Sequence, residues 1–307
     1  MYSLLVPCYN SERFIDGFLA NISNLNKAFD EILFYDDAST DHTVSVLQAR
    51  GCIVIKGETN QGPGFARNTL ASAAKGNWFH FHDIDDFLDP DYLVKTAAIA
   101  ETGSYDVVLC NVDWYSTDQK TILLSWKYSN EQINQDPVSY TIGHPIGGIN
   151  GLYRKEKFTA AGGFNTSLRI WEDADLHVRL AGAGARFYVI EEVLSISIRY
   201  SNSASADQTS GWLTRLTLLK TYQKQYTDKN VMRMTGKQAQ LTASKLILSR
   251  QYDAAKSALR LSELCGLKVP DSKNPVWGII NAILPAWLRI NLRMTQLKIV
   301  FKNSADD

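Results

Sequence analysis

The sequence has no excess of charge of either sign: 32 Lys and Arg stand against 32 Asp and Glu. That balance gives no support to a nucleic-acid partner, which would call for a basic face. Cysteine is scarce. Cys8, Cys52, Cys110 and Cys265 lie far apart with no Cys-x-x-Cys pair, so neither a zinc knuckle nor a disulfide framework is suggested. No apolar run reaches the roughly 20 residues that a membrane span needs. The opening Met1-Tyr2-Ser3-Leu4-Leu5-Val6-Pro7 lacks the basic start and long apolar stretch of a signal peptide. The expected setting is reducing and cytoplasmic, with the inner face of a membrane as a peripheral site. What remains is ordinary for a globular protein: 307 residues, 45% hydrophobic and 21% charged. Such a chain can bury a sizeable core in one large domain with a helical appendage.

The first third alternates strand and helix patterns. Leu4-Leu5-Val6 is an apolar run stopped by Pro7, and Asn10 or Ser11 can cap a helix carrying Phe14, Phe18, Ile22 and Leu25. Ile32–Tyr35, Cys52–Ile55 and Trp78–Phe81 read as further strands, with helices after Ser39-Thr40-Asp41, after Gly62-Pro63-Gly64 and near Pro90. A strand at Val107–Cys110 follows. This spacing predicts an α/β fold with a mostly parallel central sheet covered by helices on both faces. Ligands of such sheets bind beyond the carboxyl ends of the strands. The clusters Pro7–Asn10, Asp36–Asp37 and Asp83–Asp86 each follow a predicted strand, so they should share one sheet edge. Gly147-Gly148-Ile149-Asn150-Gly151 is too glycine-rich for a helix and suggests a close backbone approach or a loop under a site. A helix starts at Glu172, and two or three more occupy Trp212 to Leu264.

Three constellations could do chemistry. Asp83-x-Asp85-Asp86 crowds three carboxylates at a strand end, which suits a hard divalent ion shared with phosphates or simply the start of a helix. Asp36-Asp37 could accept hydrogen bonds from a base or ribose, while Ser39 or Asp41 caps the next helix. In Trp171-Glu172-Asp173, a carboxylate beside an aromatic ring can serve as a general base, or it is an ordinary acidic helix start.

Taken in order, Val6-Pro7-Cys8-Tyr9-Asn10, Asp36-Asp37-Ala38-Ser39-Thr40-Asp41, Asn60 to Asn68, Asp83-Ile84-Asp85-Asp86 and Gly163-Phe164 with Glu172-Asp173 resemble family two glycosyltransferases of the GT-A fold. The resemblance covers about residues 3 to 200. It implies an inverting transferase with a nucleotide-sugar donor, foremost a UDP-sugar, a manganese or magnesium ion, and a saccharide or lipid-linked acceptor. It implies Pro7, Tyr9 and Asn10 in the nucleotide pocket, Asp37 with Asp36 at the base, and Arg67 near the nucleotide or bracing the acidic loop. It also implies Asp83 with Ile84 at the ribose, Asp85 as the metal ligand with Asp86 beside it, and Asp173 as catalytic base next to Glu172. Arg199 falls where many members carry an Arg-x-His-like element near the phosphates, but Tyr200-Ser201-Asn202-Ser203 follows here, so the third metal ligand lacks a candidate. His144, Gly148 and Trp171 are expected on the acceptor or sugar side. His82 and His177 read as buried structural residues at least as readily as functional ones. A silent sugar-nucleotide-binding scaffold is the alternative. A sugar nucleotidyltransferase would resemble its own kind in a glycine-rich first loop, where this chain has Pro7-Cys8-Tyr9-Asn10.

The expected domains are a catalytic one at 1–205, with a nucleotide-sugar half at 1–115 and an acceptor half at 116–205, and a helical extension at 206–307. In its tail, Trp287, Ile290, Met294, Leu297 and Phe301 form an apolar stripe flanked by Arg289, Arg293, Lys298 and Lys302. That stripe at 285–302 could lie on a membrane, pack on the catalytic domain, or join a second subunit in a homo-oligomer.

Overall fold

Residues Tyr2 to Cys8 form β1 (Tyr2–Cys8), buried along almost its whole length. The strand runs through Pro7 instead of stopping there. The Leu5 carbonyl accepts from the His82 N–H, so Pro7 faces the same flank. That point lies past the last pair with the neighbouring strand, Leu5 with Phe81. A missing N–H loses no ladder bond there. The structure, a computed structural model, describes residues 1–200, 208–271 and 274–303. The chain divides into two units, Met1–Ser203 and Ala204–Asp307.

In the first unit, β2 (Glu31–Asp36), β3 (Ile53–Lys56) and β4 (Trp78–Phe81) join β1 in parallel, in the order β3-β2-β1-β4. The intervening α1 (Ile15–Ser23), α2 (Thr43–Ala49) and α3 (Pro63–Ala73) cover the two faces. Leu4 and Val6 enter one apolar cluster with Ile15, Phe18 and Leu47, while Leu5 enters another with Leu70, Phe79 and Leu176. This is the two-residue period of a strand buried on both sides. The capping differs from expectation. Ser11 makes no cap bond, and a 3-10 turn, Glu12–Phe14, precedes α1. The Ser11 hydroxyl is engaged elsewhere, its Oγ lying 3.1 Å from the Tyr9 N–H, which donates to it, and 3.2 Å from the Tyr9 carbonyl oxygen. Asp41 accepts from the Thr43 N–H at the start of α2.

The remaining elements are β5 (Phe87–Leu88), α4 (Tyr92–Glu101), β6 (Val107–Tyr115), β7 (Ile122–Trp126), α5 (Asn130–Gln135), α6 (Pro137–Gly143), β8 (Gly151–Arg154), α7 (Lys155–Ala160), α8 (Glu172–Gly182) and β9 (Phe187–Ile198). The full sheet runs β3-β2-β1-β4-β8-β6-β9-β5, with β7 on β6. Its second half is mixed: β8 is antiparallel to β4 and β6, β5 is antiparallel to β9, and β6 is parallel to β9. After the β6–β7 hairpin, α5 and α6 return the chain to the edge where β4 ends. It therefore enters β8 downwards, which places Gly147–Asn150 beside the acidic loop after β4.

The second unit holds α9 (Gln208–Gln225), α10 (Lys229–Leu248), α11 (Tyr252–Leu264), α12 (Pro275–Ile283) and α13 (Ala286–Asn303). Asp228 caps α10, accepting from the Asn230 and Val231 N–H groups. Of the tail stripe, Ile290, Met294 and Leu297 are buried, and α13 packs on α10 and α11. Arg289 forks onto Glu263. Trp287 instead stays 64% exposed. The side chains of Phe301 and Lys302 lie outside the described residues.

Candidate active site

Three loops at the carboxyl edge of the parallel strands lock together through backbone and side chain. Asn10, just after β1, takes a left-handed φ of 50°, and Ala38, just after β2, one of 61°. The Asn10 N–H donates to Ser39 Oγ at 2.9 Å, and Asn10 Oδ1 accepts from the Thr40 N–H at 2.8 Å. Asn is among the side chains that tolerate this backbone region; Ala38 is held there against its preference. Tyr9 is 51% exposed at the rim. Asp36 is buried, with Oδ2 accepting from the Ser39 N–H and Oδ1 without a hydrogen-bond partner among the described residues. Asp37 accepts from the Gln61 N–H at 2.9 Å and the Gly62 N–H at 2.7 Å. It therefore pins the loop that opens α3, where Gly62 needs a φ of 89°.

From α3, Arg67 reaches into the centre. Its Nη1 donates to Glu172 Oε1 at 2.8 Å and its Nη2 to Asp83 Oδ1 at 2.7 Å, with the guanidinium side chain only 7% exposed. One buried cation thus ties the acidic loop after β4 to the first turn of α8. Burial alone would weaken its charge, but Asp83 and Glu172 outweigh burial and hold it protonated. Glu172 is pushed up from the usual carboxylate range by burial and by Asp173, despite Arg67. Asp173 is also raised, by burial, with Arg67 opposing. The glycine run closes on the same guanidinium: a Cβ on Gly148 would meet Arg67 Cζ at 3.6 Å.

The four residues of the acidic loop point different ways. Asp83 faces Arg67. The Ile84 side chain is 5% exposed and belongs to the core. Asp86 turns inward, accepting from the Ile198 N–H of β9 at 3.0 Å. Asp85 remains, its carboxyl raised by burial and by Asp83, with Arg13 opposing. An acid held among acids is relieved by a cation. No three His, Cys, Asp or Glu side chains converge as a metal cage among the described residues. The single carboxylate of Asp85, lining a cavity, fits a magnesium- or manganese-like ion whose other ligands are phosphate oxygens and water.

At the head of α8, Trp171 takes a φ of 73°, a strained backbone for a bulky residue. Asp173 follows, its Oδ1 accepting from the Ala174 N–H at 2.7 Å. His177 lies one turn on, fully buried and lowered to about 4 by burial, hence neutral. Its Nδ1 meets the Asp173 carbonyl oxygen at 2.7 Å, and Tyr153 Oη meets its Nε2 at 2.9 Å. His177 therefore braces the backbone of Asp173. His82 is fully buried too, beside His80.

His144 is exposed at the end of α6, stacked on Tyr140 at 4.4 Å, with no contact to Arg67 or Asp173. Arg199 is exposed, and its N–H donates to the Tyr115 carbonyl. Ser201 to Ser203, where the expected histidine is lacking, lie outside the described residues. Arg13 and Tyr200 escaped the reading of the sequence. Arg13 lies over the rings of Phe14 at 4.4 Å and Tyr200 at 5.3 Å, and these residues line a cavity of about 350 Å³ next to Asp85. The one signal for Arg13 is its place three residues past Asn10 at the sheet edge.

The family described as glycosyl transferase family 2 has a model that matches residues 3–160. An uncharacterized glycosyltransferase of Haemophilus influenzae is 28% identical over 186 residues, 59% of this chain and 62% of that protein. The chain spans less than two thirds of the length of the curated relatives it matches first. S. aureus TarS 1–349 in complex with UDP-GlcNAc superposes with a TM-score of 0.69 at 16% identity, over 99% of this chain and 92% of that one. The mannosyltransferase PcManGT from Pyrobaculum calidifontis, in complex with GDP-Man and Mn2+, gives 0.62 at 17% identity over 100% and 87%. The fold shared with these structures is GT-A.

Proposed function

The chain belongs to glycosyl transferase family 2, and we propose that it is an inverting, metal-dependent enzyme of polysaccharide or glycoconjugate synthesis. It moves a hexose or N-acetylhexosamine from a nucleotide sugar, foremost a UDP-sugar, to a hydroxyl of a saccharide or lipid-linked acceptor. The observation that supports this reading is the double ion pair of Arg67 with Asp83 and Glu172, which ties the acidic loop after β4 to the first turn of α8. The TarS and PcManGT complexes, with UDP-GlcNAc and with GDP-Man and Mn2+, support the donor class.

The nucleotide lies over Pro7, Tyr9 and Asn10, with Asp36 and Asp37 toward its base and Asp83 toward its ribose. Asp37 acts through the loop it pins as well as by contact. Asp173 accepts the proton of the acceptor hydroxyl as that oxygen bonds to the anomeric carbon. The bond from that carbon to the diphosphate oxygen breaks on the opposite face, so the anomeric centre inverts. His177 and Arg67 orient Asp173, and Trp171 offers a flat face for a sugar ring. Asp85, with Asp86 behind it, would hold a divalent ion, and manganese or magnesium there would supply a Lewis acid for the charge that develops on the diphosphate. Arg199 supplies positive charge near the phosphates.

Calorimetric titration of UDP, first with manganese and then with chelator, tests the donor site. Micromolar binding that depends on the metal is expected. Asp85→Ala should weaken UDP binding by about tenfold or more with manganese and leave the chelator titration unchanged. A metal-dependent affinity that survives the substitution removes Asp85 as ligand. Binding of GDP in place of UDP would move the reading to a guanosine-linked donor.

A further inference from the structure

The even charge of the whole chain conceals a division. Residues 1–203 carry 16 Lys and Arg against 25 Asp and Glu, a net of −9; residues 204–307 carry 16 against 7, a net of +9. The basic unit also holds a run of uncovered apolar surface. α12 contains no charged residue and no buried one. Val276, Ile279 and Ile283, three and four residues apart, share one helix face and are 62, 62 and 73% exposed. On α13, Leu292 and Ile299 are exposed on the side away from the buried stripe. Apart from Asn281, whose amide donates to the Pro270 carbonyl, α12 is apolar, and such a helix is ordinarily buried. Residues 275–303 hold four basic side chains and no acidic one. Lys298 is exposed with its Nζ over the Tyr252 ring of α11 at 4.2 Å, and Lys268 is exposed and donates to the Asn281 carbonyl of α12 at 3.0 Å.

We propose that α12 and the outward side of α13 bind the surface of an anionic lipid bilayer. Val276, Ile279 and Ile283 enter the boundary of the acyl chains, Trp287 sits at headgroup depth, and Lys268 and Lys298 meet the phosphates. The contact lies in the plane of the membrane, because no described helix is long and apolar enough to cross one. Charge favours this occupant over a two-fold contact with a second copy of the chain. A two-fold contact through this face would bring together two units of +9, whereas an anionic leaflet neutralises the charge. The contact expected at 285–302 thereby moves off the stripe of Ile290, Met294 and Leu297, which packs within its own unit, to the opposite side and to α12. The inference is independent of the sugar transferred.

Flotation of the full chain with vesicles tests it, comparing phosphatidylcholine alone with phosphatidylcholine containing phosphatidylglycerol. The chain should float with the anionic vesicles only, less so as salt rises, with a blue shift of tryptophan emission. Ile279→Asp with Ile283→Asp should cut vesicle binding by about tenfold or more, with the melting curve and UDP affinity of the unaltered chain. Lys268→Glu with Lys298→Glu should weaken binding and remove most of its salt dependence. Failure of the unaltered chain to float with anionic vesicles overturns the proposal, as does equal flotation of the aspartate variant. A dimer in light scattering that the aspartate variant converts to a monomer would assign the face to a second copy and overturn it equally.

Discussion

Asp173→Asn should reduce sugar transfer by roughly 10²- to 10⁴-fold, the usual share of a general base, while the donor still binds. The amide keeps the size of the carboxyl and can still accept from the Ala174 N–H, so α8 keeps its start. It cannot take a proton from the acceptor hydroxyl. Turnover of a UDP-sugar, read beside calorimetric UDP affinity, separates the two effects; unchanged turnover would remove Asp173 as the base. The pH–rate profile is a second reading. Burial raises the Asp173 carboxyl, so the acid limb of kcat should lie above the ordinary aspartate value of about 4. Below that limb the carboxyl is protonated and cannot accept; the rate therefore climbs as pH rises through it and then levels. An acid limb at or below the ordinary value would show that this carboxyl is not the titrating base.

Arg67→Met should be the most damaging single change to stability. It leaves Asp83 and the buried Glu172 without the cation between them, and breaking such a pair on one side costs about 3–5 kcal/mol. For a unit of this size that is a fall of roughly 10 °C or more in the first melting transition. Glu172 is already raised by burial, and without Arg67 it rises further. The loss of activity should exceed the loss of folded protein, because the acidic loop and α8 lose the link that sets their spacing. Arg67→Lys should recover part of the stability and little of the activity, since an ammonium cannot fork to two carboxylates as a guanidinium does. Differential scanning calorimetry and donor hydrolysis at a temperature below both transitions test this pair. An unshifted melt for Arg67→Met would mean that the two carboxylates are solvated in place.

The strands were legible because their apolar runs are short and end in polar clusters: Ile32–Tyr35 lies within β2 and Trp78–Phe81 coincides with β4. Glu172 opens α8 as its acidic first turn indicates. β5 was not legible, since two residues hold no period, and it exists only because β9 offers a partner. Nor was the direction of β8 legible, because its pattern is the same whichever way it runs.

Local chemistry in the chain determined the α/β character, the sheet edge on which the polar loops gather, and the acidic start of α8. Each of these depends on residues a few positions apart. Tertiary structure alone decided which acids serve which partner. Asp37 turns to the Gln61 and Gly62 amides, Asp86 to β9, Asp83 to Arg67, and Asp85 lines the cavity beside Arg13. It also decided that the tail stripe packs inward while α12 stays uncovered. A carboxylate's neighbours and a helix face's cover come from segments distant in the chain, and no local spacing encodes them.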